Sequence, residues 1–368
     1  MLPVKDTEKA NITRGLLLSD SIGAYRAFPA YFKLYESIFC PANEDGTIIQ
    51  IDNPAFDSHD DIVKCAHTLR ENPMVTREEF SRTLAVNGAI SQRECQNAIQ
   101  SVIRVAFMLD CLLKDKYSAN YEVGDYSPAR WEASEPFVSY VERAIPKFAP
   151  QKRSGFEAYK HKKDLKAWKL RKRCHLQFRP THNIMEHLLY DPKTRTVMVF
   201  HHTAYLKAHL RRSKDKSIDL DACASLKLGI LPPQLLVETL HTIQFILFPI
   251  TSYGAKKSIR MLEVLVRKHG FDPNAELDEG LVREGVTAKL TYQYWNHRME
   301  ILYRLVKNPP PRNRLVGWIE RHTSERNALT VAIIGLFLSA LFGLLSCLIG
   351  GAQLVIAILA WKDPKQPA

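Results

Sequence analysis

The chain has 368 residues, 46% hydrophobic and 24% charged, a balance that excludes intrinsic disorder and leaves room for one large domain or two modest ones. Eleven Lys/Arg against two acids in residues 147–173 supply +9 of the formal +12, so one segment holds the basic character and a nucleic-acid partner is not expected. Seven scattered cysteines exclude a disulfide framework or a Cys-based zinc site and fit free thiols in a reducing compartment.

At the N-terminus, Lys5, Asp6, Glu8, Lys9 and Arg14 interrupt any apolar run, so no secretory leader is read there. The sequon Asn11-Ile12-Thr13 therefore matters only if this end is lumenal. Asp45-Gly46 before residues 47–51 is a strand-like hint. Thr76-Arg-Glu-Glu79 and Ser91-Gln-Arg-Glu94 are capping boxes, in which a hydroxyl and a carboxylate satisfy each other's orphan amides at a helix start. The second opens a long helix through Ile99, Val102, Ile103, Val105, Ala106, Leu109 and Leu112. Residues 118–146, aromatic and proline-rich, read as an irregular wrap.

The basic connector, 147–174, follows. On a single helix Phe156, Tyr159 and Leu170 would cluster while Leu165 and Trp168 fall well round from them, a poor amphipathic face. A solvated connector is the favoured reading, with anionic-lipid contact through 147–173 as the functional one. Residues 188–190 and 196–200, flanking the turn Asp191-Pro-Lys-Thr-Arg195, predict a β-hairpin. Helices are predicted over 204–212, over 232–248 with Pro249 stopping it, over 255–269 with Gly270 as a left-handed cap, and over 286–306. Pro309-Pro310-Pro311 then forms a stiff spacer.

Residues 327–361 carry no charged side chain, and about 18 apolar residues already suffice to read a membrane span. One tilted crossing is favoured over a hairpin turning near Gly350-Gly351, whose second arm would be too short to span. Gly335, Ser339, Gly343, Cys347 and Gly351 recur every fourth residue, a stripe that could let helices pack closely in lipid. Arg312, Arg314, Arg321 and Arg326 precede the span and Lys362 and Lys365 follow it, which places the large N-terminal part in the cytosol.

The densest patch of functional residue types is His182, Glu186, His187, Asp191, His201, His202 and His209. His182 and His187, five apart, lie on different faces of a helix and cannot chelate together. His201 and His202 would point to opposite sides of a strand, so at most one is expected in any site. Packing histidines around a hairpin are therefore favoured, no metal or cofactor set is assigned, and Glu186, His187, His201 and His202 stand as the catalytic candidates. Nucleophile-elbow, Walker and dinucleotide-binding motifs are absent.

Phe178-Arg-Pro-Thr-His182, Glu186-His-Leu-Leu-Tyr-Asp-Pro-Lys193, Phe200-His-His-Thr-Ala-Tyr-Leu-Lys-Ala-His-Leu210 and Arg326-Asn-Ala-Leu329 resemble a group of filamentous-fungal proteins. Those proteins have a helical body, a C-terminal hydrophobic anchor and no established activity, and some are encoded in secondary-metabolite gene clusters. The resemblance, over roughly 150–361, implies a protein of an internal fungal membrane, accessory to a biosynthetic pathway. Residues and resemblance together lead to a mainly α-helical body with one β-hairpin and a C-terminal transmembrane helix. Its regions are 1–146 (helical), 147–174 (basic), 175–225 (His-rich hairpin), 226–308 (helical), 309–326 (spacer) and 327–361 (anchor). The expected function is an adaptor tail-anchored in the endoplasmic reticulum. The alternative is a membrane-tethered enzyme acting on a lipophilic metabolite through the cluster at 182–209.

Overall fold

The computed structural model describes residues 3–19, 23–41, 56–85, 92–111, 126, 128–149, 151–152, 156–250, 254–276, 290–309 and 328–362. Its contacts divide the chain into two units, Met1–Asn308 and Pro309–Ala368. The strand-like hint at 47–51 and Ser91 of the second capping box lie outside the described residues.

In the first unit, the N-terminal half is built of α1 (Asp6–Leu16), α2 (Pro29–Phe39), α3 (His59–Glu71), α4 (Arg77–Ala85), α5 (Gln92–Phe107) and α6 (Phe137–Ala144). The start of α4 is the capping box read from the sequence: Glu79 N–H donates to Thr76 Oγ1 at 3.3 Å and Thr76 N–H to Glu79 Oε2 at 3.0 Å. Ser58 and Asp61 repeat the device on α3. Helix α6 corrects the expectation of an irregular wrap over 118–146, since Phe137, Val138, Tyr140 and Val141 recur at helical spacing on a buried face. Pro136, isolated just ahead of it, starts this helix rather than breaking it.

The basic segment is not one solvated helix. It forms the short strand β1 (Gln151–Lys152), then α7 (Glu157–Lys160) and α8 (Ala167–Cys174), and buries Phe156, Ala158, Leu165, Ala167, Leu170 and Cys174. The break at 161–166 resets the helical phase, which brings Leu165 inside although a continuous helix would have turned it away.

Next come β2 (Gln177–Thr181), β3 (Tyr190–Asp191) and β4 (Thr196–Phe200), with sheet order β2-β4-β3. The expected hairpin is β3 antiparallel to β4. Strand β2 is additional to the expected hairpin, and it contains Pro180, a residue that strands usually exclude. It is tolerated because β2 is an edge strand, where a missing N–H costs no ladder bond. Central β4 is largely buried, and β2 runs parallel to it with Gln177 opposite Thr196 and Thr181 opposite Phe200.

Beyond the sheet are α9 (Thr203–Arg212), α10 (Ala222–Lys227), α11 (Pro233–His241), which continues as a π-helical turn over Thr242–Leu247, and α12 (Ala255–His269). Gly270 closes α12 at φ 70°, a left-handed conformation that suits a residue without Cβ. The helix expected over 286–306 is shorter: its described part begins as strand β5 (Thr291–Tyr292), antiparallel to β1, and only then becomes α13 (Asn296–Lys307). Glu238 on α11 explains the delay. Its buried carboxylate accepts the N–H groups of Gln293, Tyr294 and Trp295 at 2.7, 2.9 and 3.1 Å, holding them to a neighbouring helix instead of their own.

In the second unit, α14 (Ala328–Lys362) is a single helix that runs straight through Gly350 and Gly351, so the chain does not turn back there. Residues Ala332–Lys362 are long and apolar enough to cross a membrane, with none of that surface buried. Ser339 Oγ donates to the Gly335 carbonyl at 2.9 Å, which satisfies the one hydroxyl on the small-residue stripe.

Candidate functional site

The parallel register of β2 and β4 creates the site. Thr181 lies opposite Phe200, so the next residues, His182 and His201, leave the sheet side by side. Strand β4 ends at Phe200 and α9 starts at Thr203, which puts His201 and His202 in the turn between them. Alternation across a pleat no longer applies there, and the expectation that His201 and His202 face opposite sides is corrected: both join His182. Ring centroids lie 5.0 Å apart for His182–His201, 5.0 Å for His182–His202 and 4.2 Å for His201–His202.

Three nitrogens converge. His182 Nδ1 is 2.8 Å from His202 Nε2 and 3.2 Å from His201 Nε2. The remaining nitrogen of His201, Nδ1, faces the backbone N–H of Asp272 at 3.0 Å and must accept from it. His201 therefore carries its proton on Nε2 and donates toward His182 Nδ1, which holds a lone pair. A second lone pair at His202 Nε2, 2.8 Å from that one, would repel it. His202 is accordingly also protonated on Nε2, and its buried Nδ1 has no partner among the described residues.

Burial, reinforced by the cations Arg104 and Lys33, lowers the pKa of His182 to about 4. Burial and the neighbouring imidazoles push His201 and His202 well below the ordinary value. At neutral pH the trio is uncharged.

Spacing alone suits a metal, since the candidate ligand atoms lie within 4.8 Å of one another. The tautomers do not. A ligating neutral imidazole presents a lone pair to the ion and donates its other N–H outward. His201 is wired the other way round, and the charges felt most by His182 are cationic. In this state only His182 presents a lone pair where the three nitrogens meet, because His202, like His201, carries its proton on the nitrogen that faces that point.

The other candidates are held as struts. His187 is fully buried; its Nδ1 accepts from Phe200 N–H at 3.2 Å, its Nε2 donates to Thr242 Oγ1 at 2.7 Å, and Thr242 passes its own proton to the Thr239 carbonyl. Glu186 accepts from the Thr181 hydroxyl, and burial raises its pKa despite that bond. Asp191 accepts from Lys193 N–H and the Thr194 hydroxyl and shapes the hairpin turn. His209 is buried against Tyr205, ring centroids 3.8 Å apart, and burial lowers its pKa to about 3.

Two residues that organise the site carry no sequence signal. Arg298 on α13 reaches the carbonyls of Met185 and His187 with Nη1 at 2.6 and 2.7 Å and pins the turn between β2 and β3. Asp272 caps α9 from outside the helix, accepting from Ala204 N–H at 3.1 Å and Thr203 Oγ1 at 3.3 Å. Both depend on contacts between residues far apart in the chain.

Comparison with protein-family models, with curated proteins and with solved structures finds no match, so the chain's own geometry carries the functional reading. Among the described residues, three of the cavities, of about 200, 180 and 490 Å³, are lined by residues other than the histidine trio.

Proposed function

We propose that this protein is a membrane-anchored adaptor whose helical body works by binding rather than by catalysis. One observation carries this reading: three buried groups suited to acid–base chemistry, His187, His201 and Glu238, are committed to backbone partners. Phe200 N–H occupies His187, Asp272 N–H occupies His201, and three amides hold Glu238. Catalytic bases need a lone pair aimed at a substrate, and these point theirs at the chain itself. The basic run ahead of the span supports a cytosolic body at an internal membrane such as the endoplasmic reticulum. Service to a fungal biosynthetic pathway rests on the sequence resemblance.

The enzymatic alternative has one observation in its favour, the burial-raised carboxyl of Glu186. Cells carrying the wild-type chain and Glu186→Gln should therefore have the same metabolite profile and yield the same co-purifying proteins. A metabolite that accumulates only with Glu186→Gln overturns the adaptor reading in favour of the tethered enzyme.

A further inference from the structure

The largest of the three cavities lies where α8 and β2 face α12. The left-handed backbone of His175, φ 56°, ends α8 and turns the chain directly into β2. This places Arg171, His175 and Arg179 along one wall. Helix α12 supplies the other wall with Met261, Val264, Leu265, Lys268 and His269, spaced to share one face. The groove is amphiphilic: Phe178, Met261 and Leu265 are buried in its floor, while Arg171, Arg179 and Lys268 are exposed at its rim.

Among the described residues, no carboxylate lines it. Elsewhere on the same basic segment cations are neutralised: Lys169 and Arg173 both pair with Asp164, at 2.8 and 3.1 Å. Among the described residues, Arg171, Arg179 and Lys268 have no such partner. Cations at the ends of α8 and α12 do complement the helix dipoles. That role does not account for Arg179, which projects from a strand, nor for all three meeting over an apolar floor. An added peptide strand is a poor occupant, because Pro180 removes an N–H from edge strand β2.

We infer that this groove binds the phosphate-bearing headgroup of an anionic membrane lipid, its cations on the phosphate and its apolar floor against the first carbons of the lipid. A volume of about 490 Å³ lies within the usual range for small-ligand sites. A lipid is the chosen source of phosphate because it offers charge and apolar surface together, and because the chain carries a helix suited to a bilayer. The site is independent of whether the body recruits partners.

The test is titration of the detergent-solubilised full chain with dioctanoyl phosphatidic acid, dioctanoyl phosphatidylcholine and inorganic phosphate, read by calorimetry. Phosphatidic acid should bind at least about tenfold more tightly than phosphatidylcholine, and Arg179→Gln with Lys268→Gln should remove that preference, each lost factor of ten being about 1.4 kcal/mol. Both side chains are exposed, so an unchanged melting temperature verifies the fold of the variant. Val264→Glu, which puts a carboxylate between the walls, should abolish binding. Equal affinity for the two lipids, or unaltered binding by the double variant, overturns the site. Inorganic phosphate binding as tightly as phosphatidic acid overturns the lipid as its ligand.

Discussion

The backbone N–H of Asp272 donates to Nδ1 of His201 across 3.0 Å, while the carboxylate of the same Asp272 caps α9, the helix that begins two residues after His201. One residue thus fixes both the tautomer of a buried imidazole and the direction in which the chain leaves it. The consequences of that wiring can be measured.

The trio should not take up a transition metal as a three-histidine site. With His201 protonated on Nε2, equimolar Co(II) should produce no tetrahedral ligand-field absorption, and zinc should not be drawn from a chelator of micromolar affinity. A one-to-one Co(II) complex that disappears in His201→Ala would show that His201 reverses its tautomer and that the Asp272 bond does not hold.

Removing residues 309–368 should leave a soluble, folded body. Met1–Asn308 forms its own compact unit, and among the described residues the exposed large apolar side chains, apart from Met74 and Phe148, sit on the terminal helix. Residues 1–308 should stay in the supernatant after an alkaline wash of the membranes and unfold in one cooperative transition. Sedimentation with the membranes would mean that the body has a second means of attachment.

Arg298→Met should destabilise this body by about 3 kcal/mol in urea unfolding, since it leaves the carbonyls of Met185 and His187 buried without their donor. Arg298→Lys should recover part of the loss, because an ammonium can serve one carbonyl but lacks the planar fork. A cost below about 1 kcal/mol for the methionine variant would mean that water replaces the guanidinium.

Stability should fall as pH drops from about 6.5 toward 4. His182, His187, His201, His202 and His209 all have folded pKa values below the ordinary 6.5, so the unfolded chain binds protons that the folded chain refuses. Each group adds a slope of about 1.4 kcal/mol per pH unit between its two pKa values. Glu238, raised to about 7 by burial against the pull of its four donors, works oppositely: its contribution is present below about 4.5 and is lost as pH rises through 7. Glu186 and Asp272 share its sign. Five histidines outweigh three carboxyls, so unfolding near pH 5.5 should take up about two protons or more, measurable from the pH dependence of the urea midpoint. His209→Phe should lower that uptake by about one.

The sequence showed most of the helices and little of what joins them. The starts of α4 and α9 and the end of α12 were legible because local chemistry determines them: a Thr-Glu box, the residues after a β-branched run, and a glycine cap. Strand β2 contains Pro180, which only an edge position permits, and without β2 the parallel register beside β4 could not be seen. That register is what sets His182 next to His201, nineteen positions away. The histidines are plain in the sequence, but the pleat alternation that would separate His201 from His202 does not extend past Phe200, where β4 ends. Helix α13 was drawn too long because the pull of Glu238 on residues 293–295 comes from more than fifty residues away. The groove beside α12 was likewise beyond reach, since its walls come from separate parts of the chain.

The length of α14 has a consequence for how it can sit in a bilayer. Residues Ala332–Lys362 number 31 and extend about 47 Å at 1.5 Å each. That is about 20 Å more than the hydrocarbon of an endoplasmic-reticulum bilayer and about 14 Å more than that of a sterol-rich plasma membrane. Even a 40° tilt leaves the helix longer than either. In a bilayer as thin as that of the endoplasmic reticulum the excess length has to run on among the headgroups, at a modest cost for each ångström of mismatch. Shortening the helix by two turns should therefore ease the mismatch there and still leave enough length to cross.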